Sequence, residues 1–165
     1  MLRSKKPDPT PIPSVTSSPA TESQACRGGV CSRLVLQSTV MVAGSIMDGR
    51  VVVTNTTGHI IRAGDTCGGQ GLFDVGLGND NIDPQVSAHP VCGGPAFMVP
   101  IGESTWYVGV FASYAACDDI PRCVNGTPPP LPPGDYRAVV FAWGVLIPPP
   151  LVVHVTPKVP AVQRP

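Results

Sequence analysis

The stretch Leu131-Pro132-Pro133-Gly134-Asp135-Tyr136-Arg137-Ala138-Val139-Val140-Phe141-Ala142-Trp143 sets the grammar of this chain. Proline locks φ and glycine reaches conformations closed to other residues, so Pro132-Pro133-Gly134 makes a turn. The residues behind it alternate in character instead of recurring at helical spacing, which predicts a strand. Tyr136, Ala138, Val140 and Ala142 share one face of that strand, while Arg137, Val139, Phe141 and Trp143 share the other.

The same succession of turn and short apolar run recurs along the chain. Leu34, Leu36, Ser38 and Val40 alternate with Val35, Gln37, Thr39 and Met41, a first strand that Gly44 ends. A β-branched run from Arg50 to Asn55 closes on the turn residues Thr56, Thr57 and Gly58. A short apolar piece at Ile60-Ile61 follows. Phe73, Val75 and Leu77 share a face of a third strand, and Cys92 to Val99 reads as an edge strand between Pro95 and Pro100. Trp106, Val108, Val110, Ala112 and Tyr114 line one face of a longer strand. Leu151, Val153 and Val155 point inward on the last. About seven strands and no convincing helix predict an all-β sandwich or barrel.

Residues 1–25 hold Pro7, Pro9, Pro11, Pro13 and Pro19 among Ser and Thr, a composition with too little apolar surface to offset ordering entropy. The expected organisation is a disordered Pro/Ser/Thr-rich linker over 1–25, one folded domain over 26–157 and a disordered tail over 158–165. Charged residues make up only 13%, and Lys plus Arg balance Asp plus Glu at 11 each. Such a weak field argues against a nucleic-acid partner. The longest apolar stretch, Ala138 to Ile147, is too short to span a bilayer as a helix.

Six cysteines stand at 26, 31, 67, 92, 117 and 123. Their spacing lacks the paired ladders of a zinc site, and an even count in a Pro/Gly-rich β chain argues for disulfides and an oxidising compartment. Of the many connectivities open to six cysteines, nearest-neighbour pairing is the simplest: Cys26–Cys31, Cys67–Cys92 and Cys117–Cys123. Free buried thiols are the alternative. The disulfide argument places the chain outside the cytoplasm, yet Met1-Leu2-Arg3-Ser4-Lys5-Lys6-Pro7 is followed by no apolar run of about 7–15 residues, as an export signal needs. Either the true start is missing, or the basic residues flank a missing membrane segment, or the protein stays cytoplasmic with its cysteines reduced.

Asn55-Thr56-Thr57-Gly58 after an early strand and Pro132-Pro133-Gly134-Asp135-Tyr136 before a late one resemble the immunoglobulin-like domains of bacterial, particularly actinobacterial, envelope proteins. The resemblance covers roughly residues 33–156 and concerns architecture alone. It implies an immunoglobulin-like antiparallel β-sandwich in which the Tyr136 hydroxyl bonds back to the backbone just upstream. Trp106 departs from the antibody pattern, which keeps its tryptophan on the third strand, and Cys67–Cys92 would not be the antibody inter-sheet bridge.

No motif with catalytic or cofactor-binding grammar stands out. There is no G-x-S-x-G or S-x-x-K, Gly76 and Gly78 lack the remainder of a phosphate loop, and Asp118-Asp119 diverge on an extended chain. His59, His89 and His154 are scattered. Side-chain oxygens at Asn79, Asn81 and Asp83 could serve calcium, but these residues also make good turns, and the turn is the stronger reading. Asn55-Thr56-Thr57 and Asn125-Gly126-Thr127 match the glycosylation sequon.

Two segments can be read as partner contacts, or more plainly as a crossover joining two sheets and as a strand continuation buried beneath a neighbouring loop. The link from Ala115 to Gly134 lacks strand pattern, would be stapled by Cys117–Cys123 and stiffened by Pro128-Pro129-Pro130, and carries Asp118 and Asp119. Val145, Leu146 and Ile147 form an apolar run where a polar connection is expected. The expected function is a non-enzymatic secreted or envelope-attached module that binds an unknown protein or envelope component, without metal or cofactor. The alternative is a protease inhibitor acting through the 117–133 loop.

Overall fold

The computed structural model describes residues 20–65, 72–86, 96–117, 123–142 and 144–159. These form ten strands, where the sequence pattern predicted about seven. The first two, β1 (Glu22–Arg27) and β2 (Val30–Leu36), make a hairpin around Gly28-Gly29. Both glycines have positive φ, 57° and 80°, as a two-residue hairpin turn requires. β1 thus begins inside the stretch expected to be linker. Its polar sequence hides it, because only Ser23 and Ala25 turn even partly inward. The ladder to β2 holds it, with Cys26 opposite Cys31.

β2 and the three-residue β3 (Val40–Val42) are separate strands on separate sheets, not the single strand the alternation implied. The break lies at Ser38, whose hydroxyl accepts a hydrogen bond from the Val40 amide at 2.9 Å. Gly44, at φ 79°, then turns the chain into β4 (Ile46–Asn55). The remaining strands are β5 (Ile61–Asp65), β6 (Phe73–Gly78), β7 (Ala96–Val99), β8 (Gly102–Phe111), β9 (Gly134–Ala142) and β10 (Leu151–Thr156).

One sheet has the order β1-β2-β4-β8 and a second the order β3-β10-β9-β6, while β5 pairs with β7 in a small third sheet. Every pairing is antiparallel except β3 with β10, which is parallel and corrects the expectation of a wholly antiparallel sandwich. The chain crosses to the second sheet after β2 and meets its own last strand running the same way. Leu34, Val51, Val53, Val108 and Val110 from the first sheet share one core with Val75, Leu77, Ala138, Val153 and Val155 from the second. Phe73 on β6 meets Trp106 on β8 edge to face, with ring centroids 5.2 Å apart, so an aromatic pair spans the two sheets.

β6 is buried on both faces. Phe73, Val75 and Leu77 point inward, while Gly76 and Gly78 face the other way beneath the returning segment Pro84–Val86. A Cβ on Gly76 would stand 2.7 Å from the Gln85 carbonyl oxygen, and one on Gly78 would stand 2.6 Å from the Pro84 nitrogen. Only glycine permits that approach. The Gln85 amide then donates to the Leu77 carbonyl at 3.0 Å and covers part of an otherwise open edge.

At one end of the sandwich, the buried Ala112 just after β8 is a backbone junction. Its carbonyl accepts from the Gly44 and Leu131 amides at 2.8 and 2.9 Å, and its own amide donates to the Ser45 carbonyl at 2.9 Å. The Tyr114 amide donates to Pro129 at 3.0 Å, so the proline run lies along the continuation of β8. Leu131 is fully buried at that point. The Tyr136 hydroxyl donates to the Pro132 carbonyl at 2.8 Å, the upstream bond that the resemblance implied.

Candidate functional site

The opposite end is organised by one side chain. Asn55 closes β4, and its carboxamide is fully buried. Its Oδ1 accepts from the Thr57 amide at 3.1 Å and from the Thr57 hydroxyl at 2.7 Å. Its Nδ2 donates to the His59 carbonyl at 2.9 Å and, more loosely, to those of Val99 and Pro100 at 3.3 and 3.2 Å. A carboxamide suits this place because it offers an acceptor and two donors in one plane. The network ties the 56–59 turn and the β7–β8 turn to the end of β4. It also removes Asn55 as a glycan acceptor in the folded protein, since the nitrogen that would be modified is committed and enclosed.

Beside this network lies a cleft of about 360 Å³. Val53 of β4 and Val99 of β7, both fully buried, belong to its lining. Val30 at the start of β2 and Ile61 at the start of β5 contribute further, with Val145 and Leu146 from the segment after β9. All six side chains are aliphatic. Among the described residues, Arg27, last of β1, is the only charged one in the lining. The turn at Gly28-Gly29 places Arg27 and Val30 side by side, and the Cys26–Cys31 disulfide (Cα–Cα 4.0 Å) pins the strands behind them.

Of the sequence-predicted contact residues, Val145 and Leu146 line this cleft, and Val145 also packs against the core. Ile147 is 44% exposed and lies outside the lining. Asp118, Asp119, Cys67, Cys92, His89 and Trp143 lie outside the described residues. Cys26–Cys31 and Cys117–Cys123 are both formed, as nearest-neighbour pairing anticipated.

The 117–133 segment divides in two. Cys117–Cys123 staples the first part, and a tight turn follows at Asn125-Gly126, with φ 52° and 73°. The Val124 and Thr127 amides and carbonyls exchange hydrogen bonds across this turn, and Val124 is 72% exposed. The proline part is docked on the end of β8 and does not project. Asn125-Gly126 carries the strongest short hairpin signal in the chain, which the sequence reading took only as a sequon.

Several other polar groups are committed locally. Asn79 Oδ1 accepts from the Asn81 and Ile82 amides at 2.9 and 3.0 Å, an Asx-type turn. Asp80 pairs with Arg137 at 2.7 Å. His154 faces outward, as expected, with Nδ1 2.8 Å from Asp135 on the neighbouring strand. Among the described residues, no group of three or more His, Cys, Asp or Glu could hold a metal ion, and no helix is long and apolar enough to cross a membrane.

Arg27 and Asn55 were the residues sequence reasoning missed. The glycine pair at 28–29 between two cysteines was the signal for the first. For the second, Asn-Thr-Thr-Gly was read as a turn but not as the anchor of one. No protein-family model and no curated protein matches this chain.

Proposed function

We propose that this protein is a non-enzymatic binding module of immunoglobulin-like architecture that works outside the cytoplasm and holds its partner at the cleft end of the sandwich. One observation carries the reading: the apolar run Val145-Leu146, anomalous for a connection, forms a wall of an aliphatic cleft. The Tyr136–Pro132 bond and the two facing four-stranded sheets support the immunoglobulin-like assignment. The two disulfides support an oxidising compartment. The partner is a protein or envelope component.

The test is the double substitution Leu146→Asp with Ile147→Asp. Saturable binding to a cell-envelope fraction, followed by surface plasmon resonance, is expected to disappear while the melting temperature stays within a few degrees. A large fall in melting temperature would assign the segment to the core and retire the reading. Unchanged binding would retire it equally.

A second reading, protease inhibition through the 117–133 loop, is favoured by the stapled loop and the exposed Val124 beside its tight turn. Titration against a panel of proteases tests it. Stoichiometric inhibition that Val124→Gly weakens would move the functional end to this loop.

A further inference from the structure

The cleft's chemistry narrows what it can hold. Among its described residues the lining offers no aromatic platform and no hydroxyl, carboxamide or carboxylate side chain, a poor match for the many polar edges of a sugar or nucleobase. Among those residues the one polar side chain belongs to Arg27. Arg33 pairs with Glu22 and Arg137 with Asp80, whereas Arg27 has no carboxylate within ion-pair distance among the described residues. An aliphatic slot with an arginine in its lining is complementary to an anion carrying a hydrocarbon chain. Arginine's planar fork suits a carboxylate in particular. At about 30 Å³ per heavy atom, water's share of liquid volume, a cleft of about 360 Å³ holds on the order of ten heavy atoms.

We propose that the cleft binds a single-chain aliphatic carboxylate of medium length, with the chain against Val53, Val99, Val145 and Leu146 and the carboxylate on Arg27. The proposal rests on the cleft being the binding site. Titration calorimetry with octanoate, decanoate and dodecanoate below their micellar concentrations tests it, with decanol and a leucine-terminated tripeptide alongside. Each added methylene is expected to tighten binding by about three- to four-fold while room remains. Decanoate should exceed decanol by about ten-fold. Arg27→Gln should erase that preference and keep the chain-length dependence, and Leu146→Asp should weaken every ligand.

Affinity independent of chain length, an acid preference that survives Arg27→Gln, or no decanoate binding at millimolar concentration would overturn the proposal. So would a tripeptide that outbinds decanoate, which would assign the cleft to a peptide C-terminus. Arg27 is exposed, so its variant should fold even where Leu146→Asp does not. If no carboxylate binds but envelope binding still requires Leu146 and Ile147, the ligand class falls and the binding module stands. If neither depends on the cleft, both fall.

Discussion

The two ends of this sandwich are closed by different means. At the Ala112 end, main chain meets main chain: Gly44, Ser45 and Leu131 all bond to one residue, and the proline run lies along the extension of β8. At the other end, the Asn55 side chain bonds to two turns while Thr56 holds the Gly29 turn, and an aliphatic cleft stays open beside them. A closure made of backbone bonds tolerates changes of side chain, and the hollow left beside it, about 240 Å³, is smaller than the cleft at the other end. A closure centred on one carboxamide concentrates much of the energy at a point and leaves room around it. The room is where a ligand can enter.

The sharpest way to break this contrast is Asn55→Ala. Three carbonyls would lose this donor and the Thr57 amide and hydroxyl this acceptor, with a cost of about 3 kcal/mol. Urea denaturation would measure it. A loss below about 1 kcal/mol would mean that the cleft end is held by something other than Asn55.

A smaller effect is expected from Tyr136→Phe, which removes one hydrogen bond from an end already tied by several. The expected cost is about 1 kcal/mol. The same residue carries a pH signature. Burial, and then the neighbouring Tyr114, raise the Tyr136 phenol above its ordinary 10.0. The unfolded chain therefore gives up this proton first. The resulting stability is complete below about pH 10 and declines as pH rises through the folded value. Denaturant midpoints between pH 9 and 11 should fall in the wild type, and less steeply in Tyr136→Phe. Equal slopes would remove Tyr136 as the source.

What the sequence made legible were strands with one face in the core. The inward sets on β8, β9 and β10 follow from alternation alone, because burial on one side of a pleated strand imposes period two. β1, β3 and β5 escaped for three reasons. β1 is polar and held by its ladder and a disulfide. β3 continues the alternation of β2 without interruption, although the chain changes sheets between them. β5 is a short partner for β7, and its existence depends on that pairing. Gly76 and Gly78 looked like a fragment of a phosphate loop until the close approach of Pro84 and Gln85 supplied their cause.

The site was half legible. Val145 and Leu146 betrayed themselves as apolar residues in a connection. Arg27, Val30, Ile61 and Val99 come from four other strands, and only the fold brings them to the same place.

Hydrogen–deuterium exchange resolved by residue tests the contrast between the two ends most directly. The Gly44, Ala112 and Leu131 amides should exchange only through global unfolding, at the slowest rates in the chain. The amides of Thr57, Val99, Ile101 and Gly102 should exchange faster, through local opening around Asn55. Equal protection at both ends, or greater protection around Asn55, would contradict the account.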